Sequence, residues 1–133
     1  MCKIGDIILV DSYKHGGKTL NKHSFVVLNA DKDEIQGLEY DLVCNVMSSF
    51  HSEEHRKKKM TFPGNFEVGP EDVDVPSGNS REGYIKAEQL YYFKRDDLDY
   101  RVIGMMTPEF FVELINFIEN LDIDLVDILD NIK

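Results

Sequence analysis

The run Ile4-Gly5-Asp6-Ile7-Ile8-Leu9-Val10, a polar glycine-bearing segment at 14–23, and then Ser24-Phe25-Val26-Val27-Leu28 decide the fold class. Both apolar runs are short, β-branched and bounded by turn-forming residues, which reads as two strands joined by a loop. Further along, Leu38, Tyr40, Leu42, Cys44 and Val46 recur with period two, the pattern of a strand with one buried face, and this strand closes at Ser48-Ser49. Between 51 and 82 apolar residues are sparse. Pro63-Gly64, Gly69-Pro70 and Pro76-Ser77-Gly78-Asn79-Ser80 interrupt any long element, so at most short strands at 60–62 and 66–68 fit there. An aromatic-rich β pattern resumes over 84–93, and another short strand is expected at 100–104.

Only the end of the chain reads as helix. Thr107-Pro108-Glu109 places a capping hydroxyl, a proline at the first helical position and an acid in the first turn. Phe110, Leu114, Phe117, Ile118, Leu121, Leu125, Ile128 and Ile132 follow at three- and four-residue spacing and predict one long amphipathic helix. Residues 107–133 also carry seven acids against Lys133 alone, most simply the solvated back of that helix. The expectation is a single domain over 1–133, mainly β, a small and strongly bent barrel with a terminal α-helix packed on it.

With 133 residues, 42% of them apolar and 30% charged, the chain suits one folded domain. No apolar run approaches the ~18 residues of a membrane span, and the start lacks the apolar stretch of a signal peptide. Cys2 and Cys44 are too few for a disulfide scaffold and match no zinc spacing, so both read as reduced thiols of a cytoplasmic protein. The net charge of −10 would repel a polyanion from most of the surface.

That charge is unevenly distributed. Residues 14–23 hold three Lys and no acid, and residues 51–60 hold four cations against two acids. Together they carry +5, leaving −15 elsewhere, and they contain all four histidines, His15, His23, His51 and His55. Two solvated loops that never meet are the plainer reading of charge alone; if the fold joins them, the protein has one cationic, imidazole-rich face.

Three motifs bear on chemistry. Ser12-Tyr13-Lys14-His15-Gly16-Gly17-Lys18-Thr19 ends like a phosphate-binding P-loop, but its first glycine is replaced by Ser12. A strand, not a helix, follows Lys18, so a hairpin turning at Gly16-Gly17 is the better reading. His51-Ser52-Glu53-Glu54-His55 has the spacing of an inverted zinc-peptidase motif, yet the adjoining Arg56-Lys57-Lys58-Lys59 would set four cations beside the ion, so solvated loop histidines are expected. Finally, His23 opens one strand while Ser48 and Ser49 close another, and in a small barrel such strand ends can meet at one rim. A histidine beside hydroxyls and lysines is a kit for cleaving a phosphodiester, the imidazole moving a proton while the donors stabilise charge on phosphate.

The order of these pieces resembles the MazF/PemK family of toxin endoribonucleases. Gly5-Asp6-Ile7-Ile8-Leu9-Val10, the Lys- and Gly-bearing loop and His23-Ser24-Phe25-Val26-Val27-Leu28 are similar to the family's opening. Cys44-Asn45-Val46-Met47-Ser48-Ser49 resembles its strand ending in Pro-x-Thr-Ser, and Gly83-Tyr84-Ile85-Lys86-Ala87-Glu88-Gln89-Leu90 its Ser-x-Val-x-x-x-Gln-Ile segment. Arg101-Val102-Ile103-Gly104 with the Thr107 helix resembles its close, while residues 51–82 match least.

The resemblance implies a small SH3-like β-barrel (MazF/PemK/CcdB-like) that forms a homodimer and cuts single-stranded RNA at short sequences without metal or other cofactor. It further implies that a cognate antitoxin, in a type II toxin–antitoxin pair, silences the enzyme. The family's catalytic arginine and threonine fall on His23 and Ser48, its RNA-contacting glutamine falls on Gln89, and Lys18, Lys22 and Ser49 would hold RNA. Two departures stand out. Histidine replaces an always-charged arginine and can itself accept or donate a proton, and Ser24 replaces proline. These favour an alternative, a non-catalytic module on the same barrel that binds a protein partner or RNA without cleavage. Zinc hydrolysis through His51 and His55 is a third class.

Overall fold

β1 (Asp6–Val10) forms where the β-branched run predicts it, and the chain then turns through a hairpin of β2 (Tyr13–His15) and β3 (Lys18–Leu20). Gly16 and Gly17 both have positive φ, 62° and 77°, as a two-residue hairpin turn requires. β4 (His23–Asn29) returns along β1. A second hairpin, β5 (Asp33–Ile35) and β6 (Leu38–Tyr40), turns at Gln36-Gly37, and β7 (Leu42–Ser49) follows. The period-two run is therefore split in two, not one strand over 38–46. The break falls at Asp41, whose carboxylate accepts from the Arg95 backbone N–H at 2.6 Å and whose own N–H donates to the Phe93 carbonyl.

Next come a short helix, α1 (Glu53–Lys59), then β8 (Asn65–Val68), a 3-10 turn at Pro70–Asp72, β9 (Val73–Asp74), β10 (Gly83–Lys86) and β11 (Gln89–Phe93). β12 (Tyr100–Met106), α2 (Pro108–Glu119) and β13 (Val126–Ile128) complete the chain. This computed structural model describes residues 1–76 and 82–133, so positions 77–80 of the proposed breaker lie outside the described residues. No strand forms at 60–62, while the one expected at 66–68 is present.

Among the described residues, nine strands make one curled sheet in the order β13-β11-β7-β4-β1-β12-β9, with β10 pairing both β7 and β8. The pairings are antiparallel except β11 with β13. Alternate residues fill two cores. One holds Ile8, Val10, Phe25, Val27, Cys44, Val46, Tyr91 and Phe93 inside the curl. The other holds Ile7, Val26, Val68, Ile85 and Met106 beneath Phe110 and Leu114 of α2. The fold is thus mainly β and small-barrel-like, with a helix near its C-terminal end. Leu114 has no exposure, and its truncation to alanine should cost about 2–5 kcal/mol.

The helix is shorter than its periodicity predicts. Thr107 caps it as expected, its Oγ1 accepting from the Phe110 N–H, but it ends at Glu119 with Asn120 as C-cap. Beyond that point Ile128 and Ile132 are buried as part of β13 and the tail that follows it, Ile128 in the inner core and Ile132 in a small third cluster with Tyr92. Leu121-Asp122-Ile123-Asp124-Leu125 alternates with period two, and β11 captures the following residues by parallel pairing, Gln89 opposite Val126.

β10 and β11 lie end to end along β7, separated by a kink at Ala87-Glu88. Buried Asn45 of β7 fills that kink, its amide nitrogen donating to the Gln89 carbonyl at 2.9 Å and, more weakly, to those of Ala87 and Lys86.

Candidate functional site

His23 is the first residue of β4 and lies opposite Val10, while Ser24 lies opposite Met47 of β7. Continuing that register by one residue sets His23 across from Ser48. Ser48 is itself opposite Tyr84 of β10, and Tyr84 is opposite Glu67 of β8. Residues directly opposite share a sheet face, so Val10, His23, Ser48, Tyr84 and Glu67 form one row. A Cβ at Gly83 would collide with the Ser48 carbonyl oxygen; glycine at that position lets β10 press against the end of β7.

α1 lies at the Glu67 end of this row. The segment 51–60 is therefore not the solvated loop expected from its composition. Ser52 caps the helix, its Oγ accepting from the His55 N–H at 3.0 Å; Glu53 and Glu54 occupy the first turn, and Arg56 through Lys59 the last. Each placement suits the helix dipole. α1 buries no residue fully, so its attachment is polar: Arg56 Nη2 donates to both Glu67 carboxylate oxygens at 2.9 and 2.8 Å, and Nε adds a third bond at 3.2 Å. A forked pair of this kind fixes orientation as well as contact.

An open groove of about 920 Å³ runs beside the row. Lys22, His23, Ser48, Ser49 and Tyr84 line it from the sheet and its strand ends, and His51, His55 and Lys59 from α1 and the turn before it. The end of the first basic segment thus meets one side of the second. Lys22 lies 3.7 Å from Asp11, but both side chains are more than half exposed, so that pair is weak. A smaller groove of about 310 Å³ continues from it past Ser48, Ser49 and Met47, with Ile7, Val68 and Ile103 among its apolar walls and Arg101 on its lining.

In their neutral forms the imidazoles of His23 and His55 differ in tautomer. His23 Nδ1 stands 3.4 Å from the Asn21 carbonyl oxygen, which can only accept; in the neutral ring this places the hydrogen on Nδ1 and the lone pair on Nε2. The ring rests edge-on against Tyr13, centroids 5.8 Å apart. His55 Nδ1 accepts the His51 backbone N–H at 3.1 Å, so its hydrogen sits on Nε2. His51, Phe50 and Tyr84 bracket the His55 ring at 4.6, 6.2 and 6.3 Å. Partial burial, and then the charges that His51, Lys59 and Lys58 can carry, hold the His55 pKa below the ordinary imidazole value.

Of the six residues predicted for the site, His23, Ser48, Ser49 and Lys22 line the groove, and Lys18 and Gln89 do not. Lys18 sits in the β2–β3 hairpin, which turns toward the C-terminal tail. There Lys14 exchanges two backbone bonds with the Asn131 side chain at 2.7 and 3.0 Å, and the Gly17 N–H reaches Asp130 at 3.4 Å. This hairpin, with a strand rather than a helix after Lys18, is not a P-loop. Gln89 starts β11 and uses its carbonyl to hold Asn45. The predicted site residues do not include His51, His55, Lys59 or Tyr84, and of these the sequence singles out His51 and His55 only as a zinc motif and as part of a possible cationic face; the capping signal at Ser52 and the charge order of 53–59 are the clue to α1.

Another depression, bordered by Asp33, Glu34, Glu39, Asp41, Asp96 and Asp97 along with Lys32 and Lys94, has the wrong charge for a polyanion. Among the described residues no group of three His, Cys, Asp or Glu side chains is placed to hold a metal ion, so His51 and His55 have no third partner of that kind. Among the same residues, no helix is long and apolar enough to cross a membrane. No family model matches the chain, and no curated protein matches it at a significant level.

Proposed function

We propose that this protein is an endoribonuclease of the MazF/PemK type, the toxin of a toxin–antitoxin pair, which cuts single-stranded RNA in the groove between β4, β7 and α1. One observation carries the reading: on a chain of net charge −10, His23 and Ser48 share a groove with Lys22, Lys59 and two further imidazoles. A cationic groove on an acidic body concentrates a polyanion where the chemistry is.

In this reading Lys22, Lys59 and Ser49 hold phosphates. His23 Nε2 takes the proton from a ribose 2′-hydroxyl, and the 2′-oxygen attacks the adjacent phosphorus. Ser48 donates a hydrogen bond to the charge developing on the phosphate oxygens. The P–O5′ bond breaks, and the leaving oxygen takes a proton from solvent. The products are a 2′,3′-cyclic phosphate and a 5′-hydroxyl. The neighbouring apolar groove, with Arg101 on its lining, suits an unstacked base beside the scissile phosphate. A homodimer and an antitoxin that covers the groove complete the proposal.

The test is incubation of the chain with a long single-stranded RNA in excess EDTA, beside a His23→Ala, Ser48→Ala double variant, with new ends mapped by primer extension. Discrete cuts that vanish in the variant are expected. Intact RNA across pH 5.5–8.5, a range bracketing the ~6.5 of free imidazole, would overturn the catalytic reading in favour of a binding module.

A further inference from the structure

The groove contains a side chain whose placement the proposed chemistry above leaves unused. His55 is half-buried on a seven-residue helix that is otherwise polar, yet its ring is fixed from four sides: by the His51 N–H on Nδ1 and by the rings of His51, Phe50 and Tyr84. Its helix is in turn anchored by Arg56 on Glu67. With Nδ1 occupied by a backbone donor, protonating that nitrogen would set two N–H groups against each other. The ring is left with one free function, an Nε2–H, on a residue that lines the groove.

We infer that His55 is a fixed hydrogen-bond donor to a non-bridging phosphate oxygen of the bound strand, a catalytic residue that complements His23 by having the opposite tautomer. The inference rests on the proposed cleavage reaction. His23 presents a lone pair to the attacking hydroxyl, while His55 presents an N–H where negative charge accumulates. A donor fixed before the reaction stabilises the transition state without having to reorganise. The burial and cationic neighbours of His55, namely His51, Lys58 and Lys59, favour the uncharged ring, the form in which Nε2–H is a neutral donor.

The competing role is structural, since His55 also satisfies a backbone N–H just before the Ser52 cap. Two substitutions separate the roles. His55→Asn can keep an acceptor at the Nδ1 position, and so the cap, but has no donor at the position of Nε2. His55→Gln can place an amide N–H near Nε2. Loss of a single preorganised donor is worth about 10²-fold in rate. We expect His55→Asn to cut RNA about that much more slowly with an unchanged pH profile and unchanged far-UV circular dichroism, and His55→Gln to recover most of the loss. His55→Asn at the wild-type rate, or His55→Gln no better than His55→Asn, would overturn the assignment.

A second readout does not depend on cleavage: the imidazole ¹⁵N–¹H spectrum of the wild-type chain titrated with a 2′-O-methyl oligonucleotide. A His55 Nε2–H resonance that moves downfield on binding supports the donor. If wild type leaves RNA intact but this shift occurs, the cleavage reading fails while His55 stands as a phosphate ligand. No shift on binding would overturn the donor assignment.

Discussion

The two basic segments resemble each other in composition and differ in what the backbone does with them. Residues 14–23 begin in a hairpin whose Gly16-Gly17 turn points at the C-terminal tail, and only their last two residues, Lys22 and His23, reach the groove. Residues 53–59 coil into α1, which brings His55 and Lys59 to the same groove as His51, just before the Ser52 cap, while Lys57 and Lys58 stay exposed. Local charge density therefore does not select the residues that face a ligand; strand register does so for the first segment and helical periodicity for the second. Lys18 and Lys22, four residues apart, end in different places because Lys18 follows the Gly16-Gly17 turn at the start of β3, whereas Lys22 lies past the end of that strand, just before β4.

If this contrast is functional, perturbations inside the groove should outweigh those at the hairpin tip. The largest effect is expected for His23→Ala, a loss of about 10³-fold in cleavage, the usual size for removing a general base, with an unchanged melting temperature; a timed RNA cleavage assay checks it. Ser48→Ala, which removes one donor, should slow cleavage by about 10²-fold in the same assay. A smaller effect is expected from the lysines. Lys59→Ala should lower the slope of log binding constant against log salt by about 0.7, the value for one single-strand phosphate contact, whereas Lys18→Ala should leave the slope unchanged. Fluorescence anisotropy at several salt concentrations measures both, and equal slopes for the two variants would break the comparison.

The hairpin side has its own prediction. Asn131→Ala deletes both bonds to Lys14 and should cost about 1–2 kcal/mol in urea unfolding, from two modest hydrogen bonds, with cleavage intact. On the α1 side, His55 has its pKa held below the ordinary ~6.5. The unfolded chain therefore binds that proton more readily than the folded one. The stability His55 provides is complete above pH ~6.5 and is lost as the pH falls below it. Thermal melts between pH 7 and pH 5 should show this decline in wild type and a shallower one in His55→Asn.

Much of the scaffold was legible because burial imposes a period. β1, β4 and β7 carry β-branched or alternating residues that fill two cores, and the turn at Gly16-Gly17 and the cap at Thr107 are local chemistry. The failures have physical causes. α1 buries no residue, so it leaves no apolar period, and its stability comes from Ser52, the dipole and Glu67, a partner eleven residues beyond Arg56. The overlong C-terminal helix arose because Ile128 and Ile132 satisfy a helical spacing while a parallel strand pairing decides their place. His23 with Ser48 was readable from two strand ends. His55 was not, because its partners depend on the fold of α1 and on Tyr84 arriving through β10.

The central claim, that the two basic segments form one RNA groove through their inner residues only, is tested most directly by a backbone amide NMR titration with a single-stranded 2′-O-methyl oligonucleotide. The account predicts saturable shifts at Lys22, His23, Ser48, Ser49, His51, His55 and Lys59, and none at Gly16, Gly17 or Lys18. Shifts centred on the hairpin tip, or on one segment without the other, would contradict it.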